Sequence, residues 1–87
     1  MKLNGTFVLR EVAGDFLVIP VGESALEFNG MMILNPVSKV IWECLEKGME
    51  KDRILAAVLD TFDVDQAVAQ GEIDEFLEEL SRENLLA

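Results

Sequence analysis

Met31-Met32-Ile33-Leu34-Asn35-Pro36-Val37-Ser38-Lys39-Val40-Ile41 is the stretch on which the fold turns. Its first four residues form an apolar run of strand character. From Val37 onward the apolar positions Val37, Val40, Ile41, Cys44 and Leu45 recur at helical spacing. Asn35 suits a helix cap because its side-chain oxygen accepts from an orphan backbone N–H of the first turn. Pro36 suits the first helical position, where its missing N–H would have had no partner and its fixed φ is already helical. The sequence therefore predicts a last strand that passes straight into a helix with no loop.

Upstream of this junction the chain reads as strands. Residues 6–12 are rich in β-branched and aromatic side chains and predict a first strand, closed by the turn Ala13-Gly14-Asp15. Residues 16–19 predict a second strand, apolar on both faces, with Pro20 disfavouring further pairing. Gly22-Glu23-Ser24 opens a loop, and residues 25–28 alternate in a way that suggests a fourth short strand. Asn29-Gly30 is a strong hairpin signal because both residues tolerate positive φ.

Downstream the chain reads as helix almost to its end. Helices are predicted over 36–46, with Gly48 as the residue after the cap, over 50–61, and over 66–83. Ile54, Leu55, Val58, Leu59 and Phe62 carry the second, and Ala69, Ile73, Phe76, Leu77 and Leu80 the third. Gly71 costs the third helix about 1 kcal/mol relative to Ala, which predicts a kink or a late start. Asn84 can take the left-handed conformation and let Leu85-Leu86 fold back onto the core. With no repeat or linker, residues 1–87 make one α+β domain: a three-stranded antiparallel meander followed by a three-helix bundle.

The formal net charge is −10, and thirteen of the seventeen acidic residues lie from Glu43 onward. That excess forms a solvated face, or a surface that attracts a basic partner. Nucleic-acid binding needs a basic face to displace counterions from phosphates, and seven Lys and Arg residues do not supply one. A lone cysteine, Cys44, on the apolar stripe of the first helix precludes a disulfide within the chain and fits a reducing cytoplasm. No apolar run reaches membrane-spanning length, and Met1-Lys2-Leu3-Asn4-Gly5 lacks the core of a signal peptide, so no membrane association is expected.

The parts of an enzyme site are missing. There is no histidine, the single Cys stands without a base or a metal-ligand set, and no glycine-rich phosphate loop occurs. No metal or cofactor is expected. Trp42 falls off the main stripe of its helix, where it covers the edge of the core or lines a partner pocket. Met31 and Met32 are core filler or the soft lining of a groove. A binding module is what remains. Met31-Met32-Ile33-Leu34 carries no Lys, Pro or bulge, so as an edge strand it is a template for an added strand. Such an edge also accepts a second copy of the chain, which leaves a homodimer open.

In order and spacing the chain resembles the PqqD family. The likeness rests on Phe7-Val8-Leu9-Arg10-Glu11-Val12, on Leu34-Asn35 followed by Val40-Ile41-Trp42, and on Glu46-Lys47-Gly48. It continues through Phe62-Asp63-Val64-Asp65 and Phe76-Leu77-Glu78-Glu79-Leu80 to Leu85-Leu86. Gly71 in a helix, Met49-Glu50 without a Ser or Thr cap, Asn84 in place of a glycine and a long 23–30 segment depart from it. The resemblance implies a winged-helix-like fold and a non-catalytic adaptor. Such an adaptor binds the leader segment of a ribosomally made precursor peptide and presents it to a modifying enzyme, often a radical S-adenosylmethionine protein. It implies a site made of Met31, Met32, Ile33 and Leu34 as the augmented edge, with Ile73, Phe76, Leu77 and Leu80 in the helix wall. A winged-helix regulatory or effector domain is the alternative, and it would need a basic recognition helix.

Overall fold

The computed structural model describes residues 1–28 and 30–87. Strand β1 (Phe7–Val12) turns into β2 (Asp15–Pro20) through Ala13 and Gly14, both at positive φ (51° and 87°). That pair gives the tight turn whose twist matches two antiparallel strands. β3 (Met32–Leu34) pairs with the other side of β2, so the sheet order is β1-β2-β3, all antiparallel. Pro20 ends β2 opposite Phe7 instead of stopping the ladder before it. β3 covers only Phe16 to Val18, so β2 has a neighbour on one side at Pro20, where a sheet tolerates proline.

Residues 25–28 do not form a fourth strand. Ser24–Glu27 is a one-turn helix, α1, closed by the Phe28 N–H donating to the Ser24 carbonyl at 3.0 Å. Ala, Leu and Glu are strong helix formers, and four residues of alternation are too few to fix a period. Leu26 is 88% exposed, so the alternation did not mark a buried face. The buried Ser24 hydroxyl accepts the Thr6 N–H at 2.7 Å and ties α1 to the start of β1. The expected Asn29-Gly30 turn includes Asn29, which lies outside the described residues.

The junction at Asn35 is closed by a reciprocal pair of hydrogen bonds. Asn35 Oδ1 accepts the Ser38 N–H at 2.8 Å, and Ser38 Oγ accepts the Asn35 N–H at 3.0 Å. This capping box, with Pro36 next to it, starts α2 (Pro36–Glu46) with only the cap residue Asn35 between it and the end of β3. α2 ends at Gly48 (φ 74°), whose N–H reaches the Leu45 carbonyl while that of Met49 reaches Cys44. α3 (Lys51–Thr61) follows, then α4 (Gln66–Arg82), which runs unbroken through Gly71. Gly71 is exposed, with open space where a Cβ would stand, so its cost is borne locally without ending the helix. α4 ends on the same two-bond pattern as α2, with Asn84 at φ 60° in the place of glycine and Leu85 turned into the core.

α2, α3 and α4 pack on one face of the sheet around Ile41, Leu45, Ile54, Val58, Ile73 and Leu80. Trp42 is the largest fully buried side chain, neither at the core's edge nor in a pocket. Phe7 of β1 meets it edge-to-face at 5.4 Å, so sheet and bundle join on this contact. Its Nε1–H has no hydrogen-bond partner among the described residues, a local cost outweighed by the apolar area the ring removes from water. The ends of the chain lie side by side: Leu3 bridges Leu86, and Asn4 donates to the Leu85 carbonyl at 2.8 Å.

Asn35→Ala is expected to cost about 1 kcal/mol, a fall in Tm of roughly 4–8 °C for a domain of this size. Because Asn35 and Ser38 satisfy one another, the Asn35→Ala/Ser38→Ala double variant should lose less than the sum of the single losses. Thermal unfolding followed by circular dichroism measures both.

Candidate functional site

β3 lies at the edge of the sheet, with β2 on one side and, among the described residues, no strand on the other. Register fixes which way its side chains point. Met32 and Leu34 share the helix-side face with Val18 and Phe16, and Ile33 shares the outer face with Leu17. Leu34 is buried, Met32 half-buried and Ile33 68% exposed. β1 is the other edge, and it carries the exposed charged residues Arg10 and Glu11 that blunt strand addition. β3 carries no charge.

Facing β3 across a groove is α4. The groove has two hollows that share Met32, Ile33 and Glu79. One, of about 270 Å³, lies beside Leu34 and Asn35 and is floored by Ile41 and Phe76. The other, of about 670 Å³, lies beside Met31 and is floored by Phe7, Phe28 and Leu85. Glu72 and Glu75 border the first hollow and Glu83 the second, so α4 runs antiparallel to β3 along the groove. Asn35 lines the first hollow with its oxygen already engaged in the cap.

The eight residues named from the sequence are separated by this geometry. Met31, Met32, Ile33 and Leu34 all line the groove, and so does Phe76. Ile73, Leu77 and Leu80 line neither hollow and are buried in the core, where they hold α4 against α2 and α3. The sequence reads the acids that border the groove only as part of an acidic surface, solvated or attractive to a basic partner, and not as part of the site, although the signal for their place is present in it. Glu72, Glu75, Glu79 and Glu83 recur at spacings of three and four and so make one stripe of α4.

The charges of α4 fall into two groups. Asp74 and Glu78 lie off the stripe and have partners. Lys51 reaches Asp74 at 2.6 Å and Gln70 donates to it at 3.1 Å, which together hold its carboxyl below the usual range. Arg82 stands 3.8 Å from Glu78. Among the described residues no ion pair involves Glu72, Glu75, Glu79 or Glu83. Cys44 is buried, and desolvation pushes its thiol pKa up, which keeps it protonated near neutral pH. No cluster of three or more metal-ligating side chains occurs among the described residues, and none of their helices is long and apolar enough to cross a membrane. An open strand edge over an apolar floor is suited to hold an extended chain.

The family described as Coenzyme PQQ synthesis protein D (PqqD) matches residues 16–86. This chain belongs to the PqqD family. The matched residues of this PqqD-family domain run from Phe16 in β2 to Leu86 and take in both walls of the groove. Among solved structures its fold is that of TbiB1, determined in complex with the TbiA(beta) leader peptide, with a TM-score of 0.75. The two are 22% identical over 99% of this chain and 94% of the other, so the likeness is one of fold. No curated protein matches the sequence.

The division between core and groove can be measured. Leu80→Ala is expected to cost about 2–5 kcal/mol, as large-to-small changes in a packed core do. Ile33→Ala should cost less than about 1 kcal/mol, because that side chain is already in water. Urea unfolding of the two variants gives both values.

Proposed function

We propose that this PqqD-family domain is a non-catalytic adaptor that binds the leader segment of a ribosomally made precursor peptide. The leader adds as a strand to the open edge of β3 and is presented to a peptide-modifying enzyme, in our reading a radical S-adenosylmethionine enzyme of the same cytoplasm. Met31, Met32, Ile33, Leu34 and Phe76 contact the guest, while Ile73, Leu77 and Leu80 hold the α4 wall in place. The observation that carries this is the uncharged, unpaired edge of β3 facing α4 over two apolar-floored hollows. That TbiB1, of the same fold, is held with a leader peptide supports it.

The energetics suit a transient complex. Each main-chain hydrogen bond to the guest contributes about 0.5–1.5 kcal/mol net, and each well-buried apolar side chain about 1.5–3 kcal/mol. Ordering a disordered segment costs about 2–5 kcal/mol. A few such bonds and two or three such side chains, less that cost, span the −8.2 kcal/mol of a Kd of about 1 μM. A nucleic-acid-binding regulator would need a basic helix on its exposed face, and α4 presents carboxylates there.

Fluorescein-labelled leader segments of the precursors encoded beside this gene should bind saturably at about micromolar concentration or below. In an antiparallel ladder successive residues point their N–H groups to opposite sides, so one of Met32 and Ile33 donates outward. Of Met32→Pro and Ile33→Pro, the variant that keeps the fold should therefore lose the peptide. Absence of saturable binding by every such leader, or its survival in that folded variant, overturns the proposal.

A further inference from the structure

Five carboxylates border the groove beside β3: Glu72, Glu75 and Glu79 on the first hollow, and Glu27, Glu79 and Glu83 on the second. Among the described residues no Lys or Arg lines either hollow. None of the five joins an ion pair among the described residues, although the chain pairs Asp74 with Lys51, Glu78 with Arg82 and Glu43 with Lys39. The three side-chain cations that form ion pairs among the described residues thus pair with acids that lie off the groove, and the acids on the groove are left without partners. Like charges three and four apart on a helix are destabilising by about 0.2–0.5 kcal/mol per pair, and the stripe on α4 stacks three such pairs.

We infer that the strand accepted by this groove is basic, carrying Lys or Arg at alternate positions on the side that faces α4. The inference rests on the reading of the groove as a peptide site and adds the chemical class of the peptide. Its geometry follows from the two periods. Glu72 and Glu83 are eleven residues apart on α4, about 16 Å at 1.5 Å per residue. A strand covers that length in about five residues at 3.3 Å each. Its inward-facing residues then number two or three, each opposite one or two carboxylates. A Lys or Arg there lays its methylenes over Met32 and Phe76 and brings its charge to the acidic rim, so the apolar floor and the acidic wall serve one side chain. The cation also relieves the repulsion along α4, so binding stabilises the helix that forms the wall. A leader with acids in those positions is rejected by the same five carboxylates.

Selection of random 12-residue peptides by mRNA display on the whole chain tests this, with three further proteins as controls. These are the Glu75→Gln/Glu79→Gln double variant, which keeps side-chain shape at exposed positions, and the two β3 proline variants, of which the folded one is used. Enriched peptides should carry Lys or Arg at alternate positions and fail to bind the folded proline variant. They should bind the Gln variant about five- to tenfold more weakly, and lose a similar factor between 50 and 300 mM NaCl. Peptides that need the β3 edge but show no basic excess and ignore the Gln substitutions overturn the inference and leave the peptide-site reading standing. Basic peptides that bind the folded proline variant equally well also overturn it, because net charge alone would then hold them. If no peptide depends on β3, both readings fall.

Discussion

Two hydrogen bonds between Asn35 and Ser38 set the geometry on which the rest of this domain depends. They satisfy a backbone donor on each side of the strand–helix boundary, so β3 can end and α2 begin without an intervening loop. The direction of α2 is then tied to the plane of the sheet. Leu34 and Ile41, seven residues apart across the junction, are both carried into the core. The same constraint limits β3 to three residues, since Pro36 cannot continue a ladder.

α4 serves two environments with one periodicity. Ile73, Leu77 and Leu80 point into the bundle, and Glu72, Glu75, Glu79 and Glu83 stand about one residue's rotation away beside the groove. Phe76 sits at the seam, nearly buried yet exposed to the hollow under β3. Packing energy therefore fixes where the carboxylates stand, and they need no hydrogen bonds of their own to be held in line. A change in the core side of α4 would move the groove wall with it.

How far the sequence could be read depended on whether local chemistry or long-range packing decides an element. Asn35-Pro36, Gly48 and Asn84 act on their own backbone, and the boundaries they predict coincide with those observed within a residue. The α+β order of strands before helices follows from hydrophobic period in the same way. Residues 25–28 read as strand because four alternating residues are too few to fix a period, and the tie of the Ser24 hydroxyl to the Thr6 N–H, eighteen residues away in sequence, is not readable from them. Trp42 failed for a related reason: its position on the helix wheel is peripheral to α2 alone, and Phe7 from the sheet closes over it. In the candidate site the edge position of β3 follows from strand order. The periodicity of α4, by contrast, does not separate Phe76 from Ile73, Leu77 and Leu80, because which apolar residue of a stripe meets a groove depends on where the neighbouring strand ends.

The brevity of β3 has a kinetic consequence. A template three residues long forms few main-chain bonds, and for a complex of about micromolar affinity typical association rates of 10⁵–10⁷ M⁻¹s⁻¹ imply lifetimes of about 0.1–10 s. A longer edge, with more main-chain bonds, would hold its guest longer. In the proposed role a guest retained that long would stall the next turnover, so the short strand sets a clock: long enough to hand a peptide over, brief enough to let it go.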